Sequence, residues 1–157
     1  MTDIALHWDN QRFAAAMAIS AGALASDDGL RTAIIVSLFS DARAAPDDSL
    51  PEANADRRGW WGDMVSPVTG WELGSRLWLL AREKQLVPVL ARAESYARAA
   101  LQWMVDDRVA AAFTVSASFP RVGWLALEIS IDRPGGPARE RYDFVWAATA
   151  EQLRIAA

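Results

Sequence analysis

The last third of the chain alternates apolar and polar residues, and this pattern limits the fold more than any other feature. Three alternating runs follow one another there, with the sequences VAAAFTVSASF, WLALEISID and RERYDFVWA. Successive side chains of a β-strand point to opposite faces, so each run predicts a strand with one buried face. Three strands joined by turns predict an antiparallel meander, and its apolar face needs a cover.

Two stretches with helical spacing can supply that cover. In SDDGLRTAIIVSLFSDAR, the cap candidates Ser26 and Asp27 precede apolar residues at steps of four. The stretch PVLARAESYARAALQWMVDD begins with Pro88, which is tolerated in a first helical turn. The start of the chain, DIALHW, alternates and predicts a further short strand. We therefore predict an α+β fold in which an antiparallel three- to four-stranded meander is covered on one face by two main helices.

Length and charge limit the remaining choices. With 157 residues, the chain fits one domain, and we expect residues 1–157 to form it. Residues 41–56 are rich in acids, alanine and proline, which predicts a solvated, mobile loop. A net charge of -4 argues against general nucleic-acid binding. The lack of cysteine, of a signal-like start and of a bilayer-length apolar run favours the cytosol.

Few residues of this chain suggest catalysis. The one histidine, His7, lies in the predicted N-terminal strand, and no serine has the glycines of a nucleophile elbow around it. One histidine without any cysteine argues against a zinc site. Acid pairs for glycoside hydrolysis can be drawn from Asp63, Glu94, Asp106 and Asp107, but a chain with 20 acidic residues allows many such pairs. We expect no catalytic residue, no metal and no cofactor.

Residues 56–84, DRRGWWGDMVSPVTGWELGSRLWLLAREK, hold a dense group of tryptophans, glycines and basic residues. The rings and arginines could form a stacking platform for sugars or bases. Alternatively, the rings fill the gap between helix and sheet while arginines stack on them, and we favour this structural interpretation. It predicts that Trp60→Ala or Trp61→Ala costs on the order of 3 kcal/mol of unfolding free energy. The part WELGSRLWLLAREK predicts a short helix.

The order of these motifs resembles the small baseplate wedge protein of Mu-like contractile-tailed phages. RRGWWGD, GSRLW and ALQWMVDDRVAAAFTVSA carry the resemblance, which covers nearly the whole chain. More distantly, the chain is similar to the T4-type small wedge subunit and its type VI secretion counterpart. In those proteins a glycine-led motif opens a helix and a Glu-Pro-Arg motif follows the next long helix. Here the first would run from Gly74 to Leu77, and the second would be Asp106-Asp107-Arg108, with Asp107 in place of proline.

The resemblance implies a structural tail protein rather than an enzyme. Such a protein joins other baseplate wedge subunits and helps nucleate the contractile sheath by offering a sheet edge to the tail sheath subunit. Nucleic acid and membrane are not implied as partners, and exposed strand edges favour weak self-association. The implied location is the host cytoplasm during assembly and then the virion tail baseplate.

The residues expected to contact partners are Arg57, Arg58, Trp60, Trp61, Asp63, Gly74, Arg76, Trp78, Asp106 and Arg108. The open edge would belong to the strand at 139–146 or to the strand at 3–8. Arg108 either contacts a wedge partner or pairs with Asp106 or Asp63 within the chain. Two alternative functions stay open, namely a tryptophan-rich carbohydrate- or peptidoglycan-binding module and a lysozyme-like hydrolase.

Overall fold

The computed structural model describes residues 3–27, 30–52, 56–81, 83–135 and 140–147. In chain order its elements are β1 (Asp3–Ile4), β2 (Leu6–Asp9), β3 (Ala14–Met17), β4 (Ile19–Ser20), β5 (Ala23–Leu24), β6 (Ser26–Asp27), α1 (Arg31–Phe39), α2 (Val87–Leu101), α3 (Trp103–Asp106), β7 (Ala112–Ser118), β8 (Trp124–Asp132) and β9 (Glu140–Ala147). Two short 3₁₀ helices, Trp61–Val65 and Leu77–Leu80, lie between α1 and α2. The short helix predicted near residue 77 is thus a single 3₁₀ turn.

The main sheet consists of β7, β8 and β9 in chain order, and both pairings are antiparallel. Ile129 of the central strand lies opposite Val115 on one side and Tyr142 on the other. Every second residue of β8 is buried, as the alternation predicts, and these residues are Leu125, Leu127, Ile129 and Ile131. The α+β prediction and the antiparallel meander are confirmed. The start of the third predicted strand, residue 139, lies outside the described residues.

The two main helices cover the sheet. α2 packs along β7, and α1 packs against α2. Val89, Ala93 and Ala97 form the buried face of α2, where the small alanine side chains let its neighbours approach closely. The Asp27 carboxylate accepts the Thr32 N–H of α1 at 2.8 Å. The predicted cap residue therefore serves the first turn of the helix from strand β6 rather than from the N-cap position.

Residues 3–27 form more β-structure than the sequence pattern predicts. Three short antiparallel pairs, β1 with β6, β2 with β3 and β4 with β5, branch from one junction. At the junction Ala5 donates to Ala25, Ala18 to Ala5 and Ala25 to Ala18, through main-chain hydrogen bonds of 2.8, 2.8 and 2.9 Å. Among the described residues none of these strands joins the main sheet. The main sheet therefore has three strands, and the N-terminal strand does not add a fourth.

Trp8 attaches this N-terminal region to the rest of the molecule. Its ring stacks on Phe39 of α1 with centroids 3.7 Å apart, and it meets Phe144 of β9 edge-on. Its indole N–H donates to the Val145 carbonyl at 3.0 Å. A hydrophobic core runs from Trp8 to Phe144 through both main helices. That the whole chain forms a single domain stays a prediction, which this core supports.

Candidate functional site

Residues 74–78, which we name the clamp, hold the tryptophan-rich segment to the end of α1. Gly74 has a φ of +102°, and a Cβ built on it would lie 2.4 Å from the Ser40 carbonyl oxygen. Only glycine avoids both the strained backbone and this collision. Next to it, the Ser75 N–H donates to Ser40 at 2.9 Å, and the Ala42 N–H donates to Ser75 at 3.0 Å. The clamp thus approaches α1 through its main chain.

Side chains of the clamp complete this attachment. The Ser75 hydroxyl, which is buried, donates to the Leu38 carbonyl at 2.5 Å. Trp78 is 5% exposed, and its indole N–H donates to the Ala42 carbonyl at 2.8 Å. Because these bonds are buried and join residues 36 to 37 positions apart, they fix the connection between α1 and the following 3₁₀ turn. Trp78 therefore fits the structural interpretation, in which tryptophan rings are buried and arginines stack on them.

Three predicted contact residues, all arginines, make contacts within the chain. Arg58 pairs with Asp41 at 2.7 Å and lies over the Trp78 ring at 4.5 Å from its centroid. Arg76 pairs with Asp48 at 3.1 Å, while Arg57 donates to the Ala45 and Pro46 carbonyls. Arg58 and Arg76 thus hold the acidic stretch, residues 41–56, against the clamp, while Arg57 fixes the turn of the stretch at Ala45 and Pro46.

The acidic stretch is less solvated than the sequence predicts. Ala42 and Ala44 are buried, and the Ala44 N–H donates to the Arg57 carbonyl at 2.9 Å. Its mobility stays a prediction, and residues 53–55 lie outside the described residues. Asp41 and Asp48 pair with Arg58 and Arg76, and these ion pairs hold the stretch so that the small apolar residues between the two acids can be buried.

Residues 60–71, which we name the tryptophan loop, lie at the surface. Trp61 is 70% exposed and Trp60 is 38% exposed, and a Cβ on Gly62 would lie 2.2 Å from the Trp60 ring. Other exposed apolar residues of this loop are Met64, Val65, Val68 and Trp71. The interpretation of Trp60 and Trp61 as rings that fill the gap between helix and sheet is wrong, because the loop folds on itself instead of onto the core.

The tryptophan loop borders an open surface hollow of about 290 Å³. Its lining residues are Trp60, Trp61, Gly62, Val65, Ser66, Pro67 and Trp71. Asp63, another predicted contact residue, closes the loop because its carboxylate accepts the Leu73 N–H at 3.0 Å. The sequence pattern does not predict that Met64, Val65 and Val68 are exposed. One signal was present: these apolar residues lie between turn residues and follow neither the helical nor the strand period.

The second predicted motif lies at the end of α3. Arg108 is exposed and has a φ of +59°, a left-handed conformation that costs an arginine on the order of 1 kcal/mol. Among the described residues its guanidinium has no ion-pair or hydrogen-bond partner. Asp106 instead accepts a hydrogen bond from Gln102 at 3.0 Å, and Asp63 faces Leu73. The alternative in which Arg108 pairs with either acid within the chain is therefore wrong.

Asp107, which replaces the family proline, caps this helix end. Its N–H donates to the Trp103 carbonyl at 2.8 Å, a bond that proline cannot make. Its φ of −86° lies outside the range of about −65 ± 15° that a proline ring imposes, and Asp106 before it has the helical conformation that a following proline disfavours. The turn at this point therefore suits Asp107 better than the family proline.

Ionisable groups with shifted pKa values lie away from the clamp and the tryptophan loop. Burial and a hydrogen bond from its hydroxyl to Glu140 raise the pKa of Tyr142 to about 12. Main-chain N–H groups of Gln11 and Arg12 lower the pKa of Asp9 in its turn. His7 is exposed in β2. In the described ranges no group of three or more His, Asp or Glu residues is placed to hold a metal ion, and no helix is long and apolar enough to cross a membrane.

An α+β core that presents an exposed apolar loop is typical of proteins that act by contacting other proteins. The family model described as phage protein GP46 matches residues 30–138. The chain belongs to that family, and its resemblance to a Mu-like phage baseplate protein is confirmed.

Two relatives are similar over most of their length. The first, "Baseplate protein gp46" of Escherichia phage Mu, is 42% identical over 136 residues, which are 87% of this chain and 90% of the relative. The second, "Mu-like prophage FluMu protein gp46" of Haemophilus influenzae, is 41% identical over 141 residues, which are 90% of this chain and 94% of the relative. These relationships support a structural role in the phage baseplate and fit a protein that is not an enzyme.

Proposed function

We propose that the chain is a baseplate wedge component that helps nucleate the contractile tail sheath through subunit contacts and strand addition. Its partners would be other wedge subunits and the tail sheath subunit, with assembly in the host cytoplasm and a final place in the virion tail baseplate. The observation that carries the proposal is the edge of β9, because among the described residues side chains occupy its main chain only at Val145, whereas the other edges are bridged where a partner strand would pair. The printed name of the phage Mu relative agrees with the baseplate part of it.

The β7 edge of the main sheet is occupied by α2. Glu94 accepts the Ala117 N–H at 3.0 Å, and Arg98 donates to the Val115 carbonyl at 3.0 Å. The two side chains also pair with each other at 3.1 Å. An incoming strand would have to displace both charged groups from hydrogen bonds they already make. Strand addition at the β7 edge is therefore unfavourable, because Glu94 and Arg98 protect its main-chain groups.

The N-terminal strand is occupied as well. The hydroxyl of Thr32 accepts the Leu6 N–H at 3.0 Å and donates to the Ile4 carbonyl at 3.0 Å. One side chain thus bridges the two main-chain groups that a partner strand would need. Of the two edges predicted from the sequence, at 3–8 and at 139–146, the edge at 3–8 is therefore the less suitable for strand addition.

The β9 edge is occupied at Val145. The Val145 N–H donates to the Asn10 side chain at 2.9 Å, and its carbonyl accepts from Trp8 at 3.0 Å. Main-chain groups two residues apart in a strand point the same way, so those of Arg141 and Asp143 also face outward. A partner strand can pair there and leave the Val145 contacts in place.

The tryptophan loop and Arg108 supply two further contact surfaces in this proposal. Trp and Arg are over-represented at the centres of protein interfaces, where they supply much of the binding energy. Among the described residues, Arg108 keeps a left-handed backbone and an unpaired charge at the surface. A carboxylate of a wedge partner would give that charge a partner through a bidentate contact.

A carbohydrate-binding role fits the tryptophan loop less well. A sugar site needs several polar groups beside its stacking rings to fix orientation. In the hollow the hydroxyl of Ser66 is already bonded to Val68, and most of the other lining side chains are apolar. An apolar group from a protein partner therefore suits this hollow better.

Strand addition at β9 can be tested with Asp143→Pro. This substitution removes the outward N–H of an edge strand but no hydrogen bond to β8. We expect it to abolish recovery of the purified sheath subunit in a pull-down, while the matched variant Asp143→Ala, which keeps the N–H, retains recovery. The melting temperature of each variant reports whether the sheet is intact.

Two results would contradict the proposal. Equal recovery with the proline and alanine variants would show that sheath binding does not use this edge. If the unsubstituted chain recovers neither wedge nor sheath subunits, the assembly role itself fails.

A further inference from the structure

We propose that an arginine-lined cleft beside the clamp binds an extended acidic segment of a partner protein. The cleft has a volume of about 720 Å³ and lies between the acidic stretch, the clamp and α2. Arg43, Arg57 and Arg76 line it together with Glu72, Tyr96 and a floor of alanine, glycine and serine residues. We name it the arginine cleft. The identity of its partner as a tail protein rests on the proposed function, whereas its binding chemistry does not.

Two of the three arginines are held in place before any ligand arrives. Arg57 donates to the Pro46 carbonyl at 3.0 Å and also to the Ala45 carbonyl. Arg76 pairs with Asp48 and lies over the Tyr96 ring at 4.9 Å from its centroid. Each guanidinium has five N–H donors, so both retain donors for a ligand. Fixed donors lose little conformational entropy on binding.

Arg43 supplies a charge that no carboxylate of the described residues neutralises. Its side chain is exposed, and its guanidinium donates to the Arg58 carbonyl at 3.4 Å. The sequence pattern does not mark this residue, because it stands alone among acids in residues 41–56. The fold places it beside Arg57 and Arg76. The cleft is therefore positively charged in a chain of net charge -4.

The shape of the cleft favours a peptide over a single anion. Its floor includes Ala44, Gly74 and Ala100, whose small side chains let a main chain approach closely. Alternate side chains of an extended segment point to the same side, so acids at every second position would meet the arginines together. The volume far exceeds what one carboxylate or phosphate group needs.

The charge pattern also favours a peptide over a nucleic acid. Glu72 lies in the lining, where its carboxylate would repel the closely spaced phosphates of a nucleic acid. The same carboxylate can accept a main-chain N–H of a peptide, a donor that a nucleic-acid backbone lacks. An acidic peptide with neutral spacers therefore fits both the arginines and the glutamate.

Fluorescence anisotropy with a labelled peptide of alternating Glu and Ala tests this inference. We expect the peptide to bind at low ionic strength and to dissociate as salt is added, because exposed charges are screened. A matched peptide of alternating Gln and Ala should not bind. Arg43→Gln should weaken binding of the acidic peptide about tenfold, since one charge-assisted contact is lost. Its melting temperature should be unchanged because the Arg43 hydrogen bond is long and exposed.

Arg121→Gln is the control for a general loss of positive charge. Arg121 stacks on Trp124, outside the cleft, so its substitution should leave peptide affinity unchanged. Equal effects of the two substitutions, binding of the Gln peptide, or no binding of the acidic peptide would each overturn the inference. Tighter binding of a single-stranded oligothymidylate of equal charge would overturn the choice of ligand. If the acidic peptide binds but the chain recovers no sheath or wedge subunit, the inference about the cleft stands and the proposed function fails.

Discussion

The clamp and the tryptophan loop are neighbours in sequence and similar in composition, yet one is buried and the other is exposed. In the clamp, Trp78 is 5% exposed, whereas Trp61 in the loop is 70% exposed. Clamp residues form main-chain hydrogen bonds with the chain after α1. The tryptophan loop forms its bonds locally, as in those from Asp63 to Trp60 and from Trp71 to Val68. Within residues 60–78, main-chain pairing with distant residues, rather than ring content, distinguishes the buried Trp78 from the exposed Trp60 and Trp61.

The largest effect should follow from truncation of the buried tryptophan. Trp78→Ala empties a well-packed site and leaves the Ala42 carbonyl and the Arg58 guanidinium without their contacts with the ring. We expect a loss on the order of 4 kcal/mol of unfolding free energy, measured by chemical denaturation. Trp78→Phe, which keeps most of the ring but not the N–H, should lose about 2 kcal/mol. A loss below about 1 kcal/mol for Trp78→Ala would mean that the clamp does not hold the fold.

The second-largest effect separates the energetic cost of a steric collision from the cost of a left-handed backbone conformation. Gly74→Ala places a Cβ 2.4 Å from the Ser40 oxygen at a φ of +102°, and we expect a loss on the order of 3 kcal/mol. Gly70, in the tryptophan loop, has a φ of +77° with open space around its Cβ position. Gly70→Ala should therefore lose only about 1 kcal/mol. Similar losses in the two variants, measured by thermal and chemical unfolding, would show that the collision at Ser40 relaxes without cost.

The sequence predicts the main sheet because local pattern and burial agree there. Alternation over β8 and β9 assigns Leu127, Ile129 and Phe144 to the apolar face, and all three side chains lie in the core. The N-terminal pairs were missed because several of their strands are two residues long, as β4 and β5 are. Such strands carry no periodic signal.

The site was harder to predict than the fold. Burial of Trp78 depends on Ala42, which is 36 residues away in sequence, and residue composition does not report that contact. Arg43 joins the arginine cleft only because the acidic stretch turns back against the clamp. Gly74 is an exception, since the family resemblance drew attention to it and the structure gives a steric reason for it.

The smallest effect on stability should come from the exposed ring, and it tests the central claim that the clamp holds the fold while the tryptophan loop meets a partner. We would measure Trp61→Ala for unfolding free energy and for recovery of purified wedge subunits, with Val122→Ala, exposed at 91%, as the control outside the loop. The expected result is a stability change below about 0.5 kcal/mol with at least about tenfold weaker wedge binding, and no change in either for the control. A loss of stability as large as that of Trp78→Ala, or unchanged wedge binding, would contradict the central claim.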